Sequence, residues 1–161
     1  MNRADWESHC GFFLAVHGVA DFVPAEVCAV GRMKGTASLL SPPPEFMLHA
    51  LKLIEGPLNW IRWYRGAAPV SVNSWYRSAD YNRAVGGSTN SMHLTCGAAD
   101  INKAGWEPKA VALALHNDYA MADKLGLGLY KNFVHVDIRG MLGRPMARWA
   151  GDGAQKNWWA A

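Results

Sequence analysis

The stretch Phe133-Val134-His135-Val136-Asp137-Ile138 reads as a β-strand with two unlike faces. Side chains alternate across a strand, so Phe133, His135 and Asp137 point one way and Val134, Val136 and Ile138 the other. The aliphatic face belongs on a hydrophobic core. The opposite face then carries a histidine and an aspartate side by side, an unusual load for a strand whose other residues are apolar.

The neighbouring segments supply the rest of the fold. Residues 106–124 read as a helix, with Pro108 at its start and Val111, Leu115, Tyr119 and Ala122 on one face. Gly126 and Gly128 break it. Short strands are expected over 69–74, where Val70 and Val72 alternate with small polar residues, and over 95–101. Residues 78–90 are polar, and Gly86-Gly87 marks a loop. Upstream, Pro42, Pro43 and Pro44 open a helix whose stripe is Phe46, His49, Ala50, Leu53 and Ile54. Gly56-Pro57 interrupts it, and a second helical piece covers 58–64. Within 6–30, Phe12, Phe13, Val16 and Val19 fit one helical face, Asp5 could cap it, and Pro24 starts a second short helix. Residues 31–41 and those after Gly140 read as loops. Helices followed by short strands around one long helix indicate an α+β fold: a small, mainly antiparallel sheet flanked by helices.

The chain has 161 residues, which suits a single domain. We divide it into an N-terminal helical extension (1–41), a core (42–149) and a tail (150–161). Half of the residues are hydrophobic, so a core can form without disulfide staples. Eight tryptophans are more than one small core needs, so some should line a groove or cover a surface. The formal net charge of +3 suits an anionic partner such as nucleic acid, a membrane surface or an acidic wall, without choosing among them. Three cysteines make no disulfide framework, although Cys10 and Cys28 could pair in an oxidising compartment. Asp5, Glu7, Ser8 and His9 interrupt what would be the apolar part of a leader, so none is expected. No run approaches the ~18 apolar residues of a membrane span. Synthesis and retention in the cytoplasm are therefore expected.

Two of the six histidines sit close to carboxylates. One lies in Ser91-Met92-His93-Leu94-Thr95-Cys96-Gly97-Ala98-Ala99-Asp100, the other in the 133–138 strand. A catalytic zinc takes three nitrogen and oxygen ligands and keeps one position open. A turn near Gly97 would fold His93 and Asp100 together, and the small residues 97–99 would allow close approach. His135 would complete the set. On spacing alone, His135 reads more readily as a buried core histidine than as a ligand, and Asp100 could be a turn carboxylate. Cys96 reads as a small buried residue.

The ordered motifs go further. Ser74-Trp75-Tyr76-Arg77-Ser78, Tyr81-Asn82 and Val85-Gly86-Gly87 resemble the SGYRS, YN and VGG blocks of the M15 peptidases. Asn90-Ser91-Met92-His93 and Gly97-Ala98-Ala99-Asp100 resemble that family's NSxHxxGxAxD. Residues 126–130 (GLGLY) and 133–140 (FVHVDIRG) resemble its closing motif, and Arg148-Trp149 its final RW. The resemblance runs from about Pro42 to Trp149. It implies a hedgehog/DD-peptidase-like fold and a zinc peptidase, a carboxypeptidase or endopeptidase, acting on peptidoglycan stem peptides.

The ligands it implies are His93, Asp100 and His135, with Zn2+ as cofactor. It implies Arg77 as the group that binds the substrate carbonyl or carboxylate and stabilises the oxyanion. Ser91 would orient the site or touch substrate, and Tyr130 would contact substrate. Many members place an acid three residues before the second histidine as general base, and here Asn132 stands there. Asp137 is the substitute, expected to activate the water, with the orientation of a ligand histidine as its alternative role. A phage or prophage endolysin, monomeric, binding peptidoglycan and not nucleic acid, fits the whole. The Trp158-Trp159 tail could touch the wall or an anionic membrane. The alternative is a wall-binding module or structural phage protein that keeps the fold without turnover.

Overall fold

Val70–Ser74 (β1), Ala98–Lys103 (β2), Gly126–Leu129 (β3), Val134–Asp137 (β4) and Ala147–Ala150 (β5) form one sheet. Its spatial order is β1-β2-β4-β3-β5 in the computed structural model, which describes residues 3–18, 21–27 and 42–160. Every neighbouring pair is antiparallel except β3 with β5. The expected α+β class with a mainly antiparallel sheet is what the chain adopts.

Register decides what each face carries. Ala99, Val136 and Leu127 lie directly opposite one another, as do Ile101, Val134 and Leu129. All six are buried. The helix Pro108–Asn117, α6 in chain order, lies against them with Val111, Ala112 and Leu115 buried. The other face carries the row Ser74, Asp100, His135, Gly128 and Trp149, one residue from each strand. A register shift between Val72 and Ser74 brings Ser74 opposite Asp100.

The helices before the sheet are α1 (Arg3–Val16), α2 (Pro24–Val27), α3 (Met47–Leu53) and α4 (Asn59–Trp63), and α5 (Ala79–Ala84) follows β1. Between α3 and α4, Ile54–Leu58 forms a π-turn kinked at Gly56 (φ −91°, ψ −112°), with Pro57 next in line. Cys10, Leu14, Phe22 and Val27 from the N-terminal segment join Ile54, Leu58, Trp75 and Trp158 in one hydrophobic cluster. No described helix is long and apolar enough to cross a membrane.

Several local expectations give way. In α1 the buried residues are Cys10 and Leu14, while Phe12 is 71% and Val16 64% exposed. Both stripes have helical spacing, and contact with α2 decides which one is covered. Helix α6 stops at Asn117, so Tyr119 packs from the following turn rather than from the helix. In the polar stretch 78–90, Ser78 accepts a hydrogen bond from the Tyr81 amide and caps α5. The strand expected over 95–101 begins later, because Met92–Thr95 is a 3-10 turn closed by Cys96 in the left-handed region (φ 57°). The Cys10–Cys28 pairing and the loop over 31–41 lie outside the described residues.

The largest revision concerns Gly126 and Gly128, which form strand β3 instead of only breaking a helix. A Cβ on Gly126 would overlap the Asp137 carboxylate, and one on Gly128 would overlap the Trp149 indole. These glycines leave room above the sheet for other residues' side chains. Gly128→Ala should therefore cost about 1–3 kcal/mol through overpacking, measured by thermal or denaturant unfolding. An unchanged midpoint would show that the Trp149 ring is free to leave.

Candidate metal centre

His93, Asp100 and His135 come together although the chain separates them widely. The sheet pairs Asp100 directly with His135, and the 3-10 turn places His93 above them. All three are buried, at 1%, 4% and 7% exposure. His93 Nε2 lies 3.2 Å from Asp100 Oδ1 and 3.1 Å from His135 Nδ1, and His135 Nδ1 lies 3.0 Å from Asp100 Oδ1. Two imidazole nitrogens and one carboxylate oxygen thus converge on one point, with donor atoms within 4.8 Å of one another. That donor set fits a borderline divalent ion such as zinc and leaves coordination positions open toward the cleft.

The remaining contacts fix which nitrogen faces inward. His93 Nδ1 donates to the Trp75 carbonyl at 2.5 Å, which leaves the Nε2 lone pair to act as ligand. His135 Nε2 donates to Asp137 Oδ2 at 3.0 Å, which leaves Nδ1 as ligand. Asp137 is fully buried and is held in turn by Arg139, whose backbone amide, Nε and Nη2 all donate to it. The Trp149 ring, seated over Gly128, packs 5.0 Å from His135 and 5.2 Å from the Arg139 guanidinium. Arg77 steadies the carboxylate of the donor set: its Nη2 donates to Asp100 Oδ2 at 2.5 Å and its Nε to Ser74 Oγ at 3.1 Å.

The protonation states follow from these partners. Burial pushes the Asp100 carboxyl up, but the neighbouring imidazoles of His93 and His135 outweigh it and hold Asp100 well below the usual carboxylate range. Asp137 is likewise raised by burial and then lowered further by His135 and Arg139. Burial dominates at His93 and lowers it. At His135 burial is outweighed by hydrogen bonds to Asp100 and Asp137, so its pKa rises. Below that raised pKa, protein stripped of metal should hold a proton on His135 Nδ1, where a metal would bind. Zinc affinity should then fall as pH drops through the raised His135 pKa, and uptake should release protons. Calorimetry in two buffers of unlike ionisation enthalpy, repeated at falling pH, reads this directly; heats independent of buffer at every pH would contradict it.

The donors lie in the wall of a cleft of about 1190 Å³, which is also lined by Arg77, Ser91, Tyr130, Arg139, Trp149 and Asp152. Ser91 Oγ accepts from the His93 amide at 3.3 Å and so caps the turn that carries the ligand. Tyr130 stacks on Phe133, and its hydroxyl accepts from Trp149 Nε1. Asp137 does not line the cleft; it stands behind His135. Asn132 is exposed and is also absent from the lining. Sequence reasoning gave no role to Ser74, Trp75, Arg139 or Trp149. Trp75 acts through its backbone, which leaves no side-chain signal. The alternating glycines of β3 were the available clue to Trp149.

Residues 20–137 match the peptidase M15 family. A zinc D-Ala-D-Ala carboxypeptidase of Streptomyces albus G is 33% identical over 87 residues, which is 54% of this chain and 34% of that enzyme. The chain therefore aligns with about a third of that relative's length. No solved structure matches the chain. With a match across most of its length, and with the His-Asp-His cluster buried in a cleft wall, the chain belongs to the peptidase M15 family.

Proposed function

We propose that this chain is a zinc peptidase that hydrolyses a peptide bond in peptidoglycan stem peptides. The observation that carries this reading is the buried convergence of His93 Nε2, Asp100 Oδ1 and His135 Nδ1 in a cleft wall. The cofactor is zinc. When bound, it supplies Lewis acidity toward a carbonyl oxygen and toward water.

The chain's own residues supply the rest. Arg77 fixes the Asp100 carboxylate and presents positive charge to the cleft, where developing negative charge on a substrate oxygen would be stabilised. Asp137 holds the tautomer and ring orientation of His135. It is a positioning residue, because a buried carboxylate behind the ligand has no path to a proton in the cleft. Among the described residues lining the cleft, Asp152 is the carboxylate outside the donor set, which makes it the candidate proton acceptor to test by substitution. Ser91 and Tyr130 shape the substrate channel.

The similar carboxypeptidase acts on D-Ala-D-Ala, as its name states, and that bond is the first to test here. The proposed setting is a monomeric phage or prophage endolysin, made in the cytoplasm and released onto the wall. The net charge of +3 supports contact with an anionic wall. The test is mass spectrometry of muropeptides after digestion. Loss of a terminal alanine identifies a carboxypeptidase and separation of cross-linked or internal fragments an endopeptidase; an unaltered profile would leave a wall-binding module instead.

A further inference from the structure

A second groove, of about 460 Å³, lies on the helical side of the molecule and shares no residue with the metal cleft. The π-turn and α4 build one wall of it, and Tyr119, beyond the end of α6, adds to the other. Its lining includes Glu55, Asn59, Trp60, Trp63, Tyr64 and Tyr119. Asn59 and Trp63 stand four apart on α4, hence on one helical face. Gly56 keeps the groove close to Tyr119, because a Cβ there would sit 3.1 Å from the tyrosine hydroxyl.

Each feature narrows the ligand. Trp63 is 61% exposed, and no described aromatic ring packs on it. By contrast, Trp60 and Tyr64 stack on each other at 4.5 Å, and Tyr119 tilts against Trp60 at 5.3 Å. One open indole face makes a flat platform; a cage for a cation needs several faces turned inward. Asn59 Oδ1 is buried without a hydrogen-bond partner among the described residues. This oxygen is not open to the groove as it stands; rotation of the amide would turn it there to meet a ligand's donor. Glu55 adds a carboxylate at the rim, and no lining residue is cationic, which disfavours anionic ligands. A flat apolar face beside hydrogen-bond acceptors suits a neutral ring with C–H groups on its faces and hydroxyl or amide donors around its edge.

We propose that this groove is a saccharide subsite, with Trp63 as the stacking platform and Asn59 and Glu55 as acceptors. On the wall-peptidase reading, its ligand would be a sugar of the wall's glycan strand. The choice of an N-acetylated sugar rests on the wall-peptidase reading; the groove's preference for a saccharide does not.

The test titrates the full chain with an N-acetylglucosamine trimer, which contains no peptide bond, and follows tryptophan fluorescence and the Trp63 indole NMR signal. Saturable binding is expected. It should weaken about tenfold or more in Trp63→Ala, stay within about threefold in Trp63→Phe, and be unchanged in His93→Ala. No saturable binding, equal affinity in Trp63→Ala, or displacement of the trimer by tetramethylammonium would overturn the proposal. Retained sugar binding in a chain that cleaves no muropeptide would sink only the peptidase reading.

Discussion

Asp100→Asn should abolish hydrolysis of wall peptides, lowering the rate by about a thousandfold or more, because the several kcal/mol of charge stabilisation that a metal centre supplies goes with it. The effect is large because this carboxylate is the node of the centre. One oxygen faces both ligand histidines, and the other accepts from Arg77. The asparagine keeps the shape but removes the charge that binds a cation, and it leaves a guanidinium of 17% side-chain exposure without its anion. Metal content measured after dialysis should fall together with activity. Full zinc retention with normal turnover would mean that Asp100 is no ligand.

Asp137→Asn should act differently, through His135. An amide can present either its oxygen or its NH2 to the imidazole, so the tautomer that turns Nδ1 toward the donor cluster is no longer enforced. Partners of this kind typically change metal affinity by about 10–100-fold, so zinc should dissociate at concentrations the wild type tolerates, and added zinc should restore most of the turnover. The substitution also removes the anion that Arg139 contacts through three donors, so some loss of stability should accompany it. Asp152→Asn should show the opposite pattern: zinc held as tightly as before, with kcat reduced. If Asp137→Asn keeps its zinc and loses all turnover, Asp137 is the base and the positioning role is wrong.

The sequence made the sheet's central strand legible because 133–138 alternates cleanly, and its pairing with β2 follows once His135 and Asp100 are taken as partners. The donor set was only plausible from spacing, since six residues between His93 and Asp100 are too many for adjacent positions on one straight strand. Motif order supplied what periodicity could not. The 3-10 turn and the left-handed Cys96 are the device that closes the gap, and neither has a strong signature.

Strand β3 was hidden for a physical reason. Its glycines read as breakers because glycine has low strand propensity, yet they are needed where the Asp137 and Trp149 side chains cross the sheet. Strand β5 was hidden because a four-residue strand, Ala147–Ala150, with every residue half-buried shows no alternation. The sequence left two roles open for Asp137: residues two apart on a strand share a face, but which of them fronts the cleft depends on the neighbouring strands.

The most direct measurement is hydrolysis of purified peptidoglycan by the intact chain before chelation, after removal of metal, and during stepwise return of zinc. If His93, Asp100 and His135 hold the working ion, activity vanishes on chelation and returns in full at one zinc per chain. His93→Ala then stays inactive at every zinc concentration. Cleavage that survives chelation, or that His93→Ala retains, would contradict the assignment of this centre.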